Sequence, residues 1–126
     1  MKFDIAIIGA GPSGLGLACA LAKTKLKIAI IEKNLKKKFS NPQNDGRDIA
    51  LTHQSMDILK KIGVWKNINS KKISLVKEAR VLDGNSSKYL HFDHTKTIEK
   101  SLGYLVPNYV IRKAIYEKLQ TLKTIK

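Results

Sequence analysis

The sequence predicts an α/β domain with a parallel sheet, and three patterns near its start carry that prediction. The apolar run FDIAII at 3–8 leads into a glycine triplet, which opens a segment rich in Ala and Leu at 12–24. A second apolar run, KIAIIE, occupies 27–32. A strand, a helix and a strand within about 30 residues form a βαβ unit, so these two strands are expected to be parallel. The unit covers residues 1–33.

The middle of the chain predicts a loop followed by a helix. Polar residues and Pro42 indicate an exposed loop over 34–46. The segment 48–63 alternates briefly and then carries apolar residues at spacings of three and four, which is typical of a helical face. Gly63 is expected to end that helix, because glycine is favoured just after a helix C-terminus.

A hairpin and a last helix are predicted beyond that point. Two strand-like runs flank the turn signal GNSS, which indicates an antiparallel hairpin over 73–93. Asn108 is expected to cap a helix over 108–123, since apolar residues recur there with a period near 3.6. No strand follows that helix in the sequence, so the sheet is expected to be incomplete.

Composition indicates one globular domain. The chain has 126 residues, of which 43% are hydrophobic and 27% charged. Cys19 is its only cysteine, which excludes a disulfide framework and a cysteine-based metal site, and a buried thiol is expected there. No apolar run is long enough to span a membrane, and the start is a poor signal peptide. A cytoplasmic protein is expected.

The chain is strongly basic, with 24 Lys and Arg against 10 Asp and Glu, a formal charge of +14. The lysines are scattered except in KNLKKK at 33–38, and no aromatic residues interleave with them as in a nucleic-acid surface. A solvated lysine surface is the favoured interpretation, with contact to an anionic membrane face as the next. The three arginines are Arg47, Arg80 and Arg112. Arginine suits phosphate recognition because its guanidinium is a planar fork.

The glycine triplet predicts a dinucleotide site. Gly9, Gly11 and Gly14 fit G-x-G-x-x-G, in which the glycines permit a tight turn, close approach of a pyrophosphate and close helix packing. Pro12 and Ser13 would lie at the helix N-terminus, where unpaired N–H groups and the helix dipole attract phosphate.

Glu32 stands 18 residues after Gly14, at the end of the second predicted strand, and Lys33 follows it. A carboxylate at this place can accept hydrogen bonds from both hydroxyls of an adenine ribose, and it disfavours a 2′-phosphate. We therefore include both residues among the cofactor-binding candidates. FAD and NAD share this fingerprint, so these residues alone leave the dinucleotide open.

Three segments resemble one family of flavoproteins. GAGPSGL, DGRDIALTHQSMDILKKIGVW at 45–65 and LGYLVPNYVIRKAI at 102–115 are similar to the FAD-dependent aromatic hydroxylases of ubiquinone biosynthesis. The resemblance implies a Rossmann-like FAD-binding domain with a β-hairpin insertion. It also implies that Arg47 lies near the flavin and that Arg112 reaches the FAD pyrophosphate.

The resemblance further implies an activity. In that family, reduced FAD activates dioxygen, and one oxygen atom is transferred to an electron-rich ring. The implied substrate is a polyprenylated phenol or quinol, and the reductant is NAD(P)H or a separate reductase. Contact with the inner face of a membrane and with other quinone-biosynthesis proteins is then expected. No catalytic residue and no metal ligand are expected in this chain.

The resemblance extends to an N-terminal portion of the family only, residues 1–126. The family's later Asp-Gly and Gly-Asp segments and its substrate sheet have no counterpart in this sequence. Two alternatives therefore stay open. One is a truncated, non-catalytic remnant that binds ADP-like ligands weakly, and the other is an NAD-linked reductase of related fold.

Overall fold

The structure is a computed structural model that describes residues 2–34 and 37–122. The described residues contain seven strands and four helices, with 3₁₀ turns at Trp65–Asn67, Ser70–Lys72 and His94–Lys96. In order they are β1 (Ile5–Ile8), α1 (Pro12–Leu21), β2 (Ile28–Ile31), α2 (Lys37–Ser40), β3 (Asp48–Leu51), α3 (His53–Lys61), β4 (Ser74–Val76), β5 (Glu78–Leu82), β6 (Tyr89–Asp93), β7 (Gly103–Pro107) and α4 (Asn108–Gln120).

The described strands form three small sheets. β1 and β2 pair in parallel, with Ile5 opposite Ile28. β7 lies between β3 and β4 and is antiparallel to both. β5 and β6 form an antiparallel hairpin whose turn contains Gly84 at φ +50°. The predicted α/β class, with a parallel sheet and a hairpin, is confirmed.

One continuous core joins the parallel sheet to the helices. α1 packs against α4, and both helices bury small or branched apolar side chains between them and the sheet. The buried members of this core include Ile7, Leu15, Ala18, Ile28, Val64, Val106, Ile111 and Ile115.

α3 begins and ends on the residues that helix chemistry favours. Thr52 precedes it in an extended conformation, and its hydroxyl oxygen accepts a hydrogen bond of 3.1 Å from the Ser55 N–H. Gly63 has φ +76°, a left-handed conformation in which a side chain would be strained. The predicted stop at Gly63 therefore agrees with the structure.

Three regions differ from the sequence-based expectations. The run 73–83, predicted as one strand, divides at Lys77, because β4 pairs with β7 whereas β5 pairs with β6. The predicted loop over 34–46 contains α2, and residues 35 and 36 of the KNLKKK run lie outside the described residues. β7 was not predicted as a strand, since its five residues end in a proline and merge into the next helix.

The predicted cap of the last helix is wrong. α4 begins at Asn108, and Pro107 occupies the capping position without a side-chain hydrogen bond. The buried Asn108 side chain instead donates to Asp45 in the loop before β3. Helix α4 ends at Gln120, so Leu122 lies beyond it, and residue 123 lies outside the described residues.

Candidate functional site

The glycine loop is a tight turn that joins β1 to α1. Gly9 has φ +96°, and its N–H donates a hydrogen bond of 2.8 Å to the Ile31 carbonyl at the end of β2. This conformation favours glycine, because a side chain at positive φ is strained. The turn brings the α1 N-terminus to the carboxyl end of the parallel pair.

Gly11 and Gly14 are small for different reasons. A Cβ atom on Gly14 would overlap the Gly9 carbonyl oxygen, so the third glycine allows helix and turn to pack closely. A Cβ atom on Gly11 would meet nothing within 4 Å, and Gly11 has the ordinary φ of −74°. The protein itself therefore does not require glycine at position 11, whereas a ligand that approached the backbone there would.

The N-terminus of α1 is open to an anion. Pro12 occupies its first turn, Gly11 supplies no side-chain cap, and no acidic side chain lies in that turn. Ser13 is exposed there. The first N–H groups of a helix have no intrahelical partner and carry partial positive charge, so this end can receive a phosphate.

Glu32 is fastened to the glycine loop. Its Oε2 accepts a hydrogen bond of 2.8 Å from the Ala10 N–H, and its Oε1 accepts from the Asn34 N–H at 2.9 Å and from Asn34 Nδ2 at 2.7 Å. These donors, the Ala10 N–H foremost, lower the pKa of Glu32 to about 2. An ionised carboxylate has about four acceptor positions, so acceptor capacity remains for a ligand hydroxyl.

A polar cavity of about 370 Å³ lies next to Glu32. Asn34, which contacts Glu32, lines it, and Lys38 Nζ lies 3.4 Å from Asn34 Oδ1. The other lining residues are Asn41, Pro42, Gln43 and Arg112. Two cations therefore border the cavity, which suits an anionic ligand. Lys33 is exposed.

Arg112 reaches the cavity from α4. Its guanidinium carbon lies 5.3 Å from the centroid of the Phe39 ring, and Phe39 stacks in turn on Tyr116 at 6.2 Å. Within the described part of the chain, Arg112 Nε is buried without a hydrogen-bond partner. Buried donors are normally paired, so this N–H is an unpaired donor in a residue that lines the cavity. The guanidinium lies over the Phe39 ring in a cation–π arrangement.

Arg47 lies in the loop before β3, which contacts Asn108 at the start of α4. Asp45 Oδ2 accepts from Arg47 Nη2 at 2.6 Å, from Arg47 Nε at 3.0 Å and from Asn108 Nδ2 at 2.6 Å. The Arg47 and Asn108 donors lower the pKa of Asp45 to about 2. The Arg47 side chain remains 68% exposed. Asn108 and Arg112 are one helical turn apart, so Asn108, which donates to Asp45, lies on the same side of α4 as Arg112.

The structure thus brings most of the predicted residues to one region, in two groups. The glycine loop and Glu32 form one group, which extends through Asn34 to the cavity that Arg112 lines. Arg47 forms the second group with Asp45 and Asn108. The sequence interpretation missed Lys38, Phe39, Asp45 and Asn108. Asp45 and Asn108 belong to two of the three segments that resemble the family. Their pairing spans 63 residues, so no pattern among neighbouring residues indicates it.

The histidines and the cysteine have structural contacts. His53 Nε2 lies 2.8 Å from the Ser101 carbonyl oxygen, His91 pairs with Glu78 and His94 contacts the Lys77 carbonyl. Burial raises the pKa of Cys19 to about 11, so it stays a thiol. The described residues contain no group of three or more His, Cys, Asp or Glu side chains arranged to hold a metal. Among the described helices, none has the length and apolarity to cross a bilayer.

Curated proteins resemble this chain in sequence. The chain is 40% identical over 126 residues to the ubiquinone hydroxylase UbiM of Neisseria meningitidis, a match that covers 97% of this chain and 27% of that protein. It is 27% identical to the ubiquinone biosynthesis monooxygenase COQ6 of Dictyostelium discoideum, covering 98% of this chain and 28% of that one. The chain therefore spans little more than a quarter of the length of these relatives.

Solved structures share the fold. PqsL of Pseudomonas aeruginosa in complex with 2-aminobenzoylacetate superposes with a TM-score of 0.71 at 18% identity, over 98% of this chain and 32% of that one. The flavin-dependent monooxygenase PieE, in complex with FAD and substrate, gives 0.69 at 13% identity, over 99% of this chain and 23% of that one. The model of the FAD binding domain family matches residues 2–120. This chain belongs to the FAD binding domain family.

Proposed function

We propose that this chain is the FAD-binding N-terminal part of a flavin-dependent monooxygenase that hydroxylates a polyprenylated phenol or quinol ring in ubiquinone biosynthesis. The proposal that this chain binds FAD rests on the open space at Gly11, beside the α1 N-terminus, which has no side-chain cap. The names of the Neisseria and Dictyostelium relatives support the pathway.

The residues fit the adenine and pyrophosphate portions of FAD. The N–H groups at the start of α1 would bind the pyrophosphate, with Gly11 and Ser13 leaving room for it. Glu32 would accept a hydrogen bond from a ribose hydroxyl, using the acceptor position that the bonds from Ala10 and Asn34 leave free. Arg112 offers the vacant Nε donor, and Lys38 adds positive charge to the same cavity.

Arg47 would serve the flavin side of the cofactor. In the structure Asp45 holds its guanidinium, and Asn108 holds Asp45, so the loop before β3 is tied to the start of α4. FAD, once bound, supplies the redox chemistry with dioxygen that transfers an oxygen atom to the ring. The residues of this chain bind and orient it.

Titration of the purified chain with FAD, ADP, NAD and NADP tests the cofactor assignment. We expect binding of FAD and ADP, and weaker binding of the ligand that carries a 2′-phosphate, because the Glu32 carboxylate repels it. Tighter binding of NAD than of FAD would favour the NAD-linked reductase. Binding of ADP without any additional contribution from the flavin would favour the non-catalytic remnant.

The substitution Gly11→Ala gives the sharpest control. Gly11 has a φ of −74°, which suits alanine, and no described atom lies within 4 Å of the new Cβ. The thermal midpoint of the variant should therefore not fall. Affinity for FAD and ADP should fall about tenfold or more, since the methyl group occupies the space of the phosphates. Unchanged affinity would place the ligand elsewhere.

The activity and substrate are tested in a chimera. This chain would replace the matching 27% of the Neisseria ubiquinone hydroxylase, and quinone products would be measured in cells that lack that enzyme. Restored hydroxylation, dependent on Gly11, supports the proposal. A folded chimera that binds FAD without hydroxylating the quinone precursor would contradict the substrate assignment.

We further propose that the basic surface holds the protein against an anionic membrane that contains its lipid-like substrate. The charge of +14 and the exposed Lys23, Lys25 and Lys27 between α1 and β2 support this proposal. Sedimentation with anionic vesicles should exceed sedimentation with neutral ones and should fall with salt. Equal pelleting with both kinds of vesicle would contradict it.

We propose NAD(P)H or a separate reductase as the reductant. We propose other quinone-biosynthesis proteins as partners.

A further inference from the structure

Two Asp-Gly pairs occur in the sequence, Asp45-Gly46 in the loop before β3 and Asp83-Gly84 in the turn between β5 and β6. Both glycines have positive φ, +69° at Gly46 and +50° at Gly84. An Asp-Gly pair is prone to rearrange to isoaspartate, because glycine has no side chain that obstructs attack by its backbone nitrogen. The chain thus presents the same reactive pair in two different environments.

The rearrangement proceeds through a five-membered ring. The glycine nitrogen bonds to the carbon of the aspartate side-chain carboxyl, and the C–OH bond of that carboxyl breaks, so that water leaves with the proton of the nitrogen. A second water then opens the resulting succinimide. Where it attacks the former backbone carbonyl carbon, the bond from that carbon to the glycine nitrogen breaks. The main chain then continues through the side-chain carbon, as isoaspartate, and no reactant other than water is needed.

Asp45-Gly46 is protected at both reacting groups. The Asp45 carboxylate accepts hydrogen bonds from Arg47 Nη2 and Nε at 2.6 and 3.0 Å and from Asn108 Nδ2 at 2.6 Å. These bonds, those of Arg47 foremost, lower the pKa of Asp45 to about 2, and the ionised carboxylate that results resists attack by a nucleophile. The Gly46 N–H donates to Asn44 Oδ1 at 3.0 Å, so the attacking nitrogen is engaged as well.

Asp83-Gly84 lacks these bonds. Among the described residues, the Asp83 carboxylate has no hydrogen-bond or ion-pair partner, and the Gly84 N–H has no acceptor. Both residues are exposed, and a Cβ atom on Gly84 would meet nothing within 4 Å. β5 and β6 form a sheet of only two strands, which has low local stability. The turn is therefore free to take up the conformation that ring closure requires.

Asn85, the next residue of the turn, is less suited to the same chemistry. Asparagine forms this ring with loss of ammonia when the following backbone nitrogen attacks, and that nitrogen belongs to Ser86. The Ser86 N–H already donates to the Asp83 carbonyl oxygen at 2.9 Å. Ser86 also carries a side chain beside the attacking nitrogen, which Gly84 lacks. Within this turn, ring closure is therefore favoured at Asp83.

We propose that Asp83 is a spontaneous modification site, at which the folded chain converts to isoaspartate while Asp45 is preserved. The product carries a free α-carboxylate in an exposed turn, beside a main chain that is longer by one carbon. This group is the substrate of methyltransferases that esterify isoaspartyl carboxylates with S-adenosylmethionine. The proposal does not depend on FAD binding, since neither Asp83 nor Gly84 belongs to the candidate cofactor site.

The modification should weaken the hairpin beside its turn. The Asp83 carbonyl oxygen, which accepts from the Ser86 N–H, becomes part of the free carboxylate. The extra carbon also lengthens the connection between Leu82 and Tyr89, the last cross-strand pair before the turn. Because loop length fixes the register of a hairpin, the pairing at this end should loosen.

Trypsin separates the two Asp-Gly pairs into different peptides, 39–47 and 81–88. The folded chain would be incubated for several weeks at mildly acidic pH, with its fold checked by circular dichroism, and then digested. The isoaspartate in each peptide would be measured by chromatography and by methyl transfer from labelled S-adenosylmethionine, against a sample taken at time zero. Isomerisation leaves the peptide mass unchanged, whereas deamidation of Asn85 raises it. Asp83→Glu is the matched control, because it keeps the charge but would have to close a six-membered ring.

We expect isoaspartate to form at least about tenfold faster in peptide 81–88 than in peptide 39–47 of the folded chain, because only the second pair is held by native bonds. In urea, which releases those bonds, the two peptides should react at comparable rates. Asp83→Glu should leave peptide 81–88 at its time-zero level. If circular dichroism shows the chain alone to be unfolded, the same peptides are measured in the folded Neisseria chimera.

Four results would overturn the proposal. The first two are equal rates in the two peptides of the folded protein and faster reaction in peptide 39–47. The third is a product in peptide 81–88 that has only the raised mass, since it would come from Asn85. The fourth is a tenfold difference that persists in urea, which would assign the selectivity to the local sequence and not to the bonds that hold Asp45 and Gly46.

Discussion

The Asn108 side-chain amide donates a hydrogen bond of 2.6 Å to the Asp45 carboxylate, across 63 residues of sequence. The Asn108 backbone N–H also donates to the Arg47 carbonyl at 2.8 Å. One residue at the start of α4 thus holds the loop before β3 by two bonds. The orientation of Arg47 depends on that loop, because Asp45 is the acceptor for its guanidinium.

Asn108→Ala should destabilise the protein. The substitution removes a donor at a buried position and leaves Asp45 with Arg47 as its side-chain partner. We expect the thermal midpoint to fall by about 3–8 °C, measured by circular dichroism. Asn85→Ala, in the exposed hairpin turn, should leave the midpoint unchanged.

Asn108→Asp separates the hydrogen bond from packing. It keeps the volume of the side chain but places a second carboxylate against Asp45, and like charges raise the pKa of the pair above the unfolded value. Compared with the parent, the variant should therefore be less destabilised near pH 4 than at pH 7, since the repulsion between the two carboxylates grows as pH rises through the raised pKa. A variant with the same pH profile as the parent would contradict the Asp45 contact.

The sequence was informative where structure depends on neighbours along the chain. The glycine loop, the helix within 48–63 and its stop at Gly63 follow from local chemistry, and each was predicted within a few residues. β7 and the position of Asn108 were not predicted. β7 is a strand because it pairs with β3 and β4, which come from distant parts of the chain. The Asn108 side chain bonds to Asp45 and does not cap the helix, because the loop that carries Asp45 packs against it.

The candidate site shows the same division. Gly11, Glu32 and Arg112 were found from motif spacing and from a family resemblance. Phe39 was not found, because its role requires α2 to pack beside α4 and to place the ring under the Arg112 guanidinium. No periodic pattern in KKFS indicates such a tertiary contact.

Gly14→Ala and Gly16→Ala should act in opposite directions. The Cβ atom at position 14 would overlap the Gly9 carbonyl oxygen, which is backbone and cannot move aside cheaply, so we expect a loss of about 1–3 kcal/mol. At position 16 no atom lies within 4 Å, and alanine should stabilise α1 by about 0.5–1 kcal/mol. Chemical denaturation of both variants measures this, and a stable Gly14→Ala variant would contradict the close packing.

Glu32 should make stability depend on pH. Its pKa is lowered to about 2 in the folded chain from an ordinary value near 4.5, so its stabilising bonds to Ala10 and Asn34 are complete above about pH 4.5 and are lost as pH falls toward 2. The difference in thermal midpoint between the parent and Glu32→Gln should shrink over that window. Glu99→Gln, in an exposed segment, serves as the control. A difference that stays constant down to pH 2 would be inconsistent with the Ala10 bond.

Arg112→Lys tests whether the vacant donor serves a ligand. Lysine keeps the charge but lacks the planar fork that lies over Phe39 and that contains the unpaired Nε donor. Affinity for ADP and FAD should fall about tenfold while the thermal midpoint stays within about 2 °C of the parent, because the Arg112 side chain makes no hydrogen bond to another described residue. Arg80→Lys, on the exposed β5 beside Glu78, is the matched control and should change neither quantity. If Arg112→Lys lowered stability and left affinity intact, Arg112 would be a packing residue of α2 and α4, and the anion site would rest on the helix N-terminus and Lys38 alone.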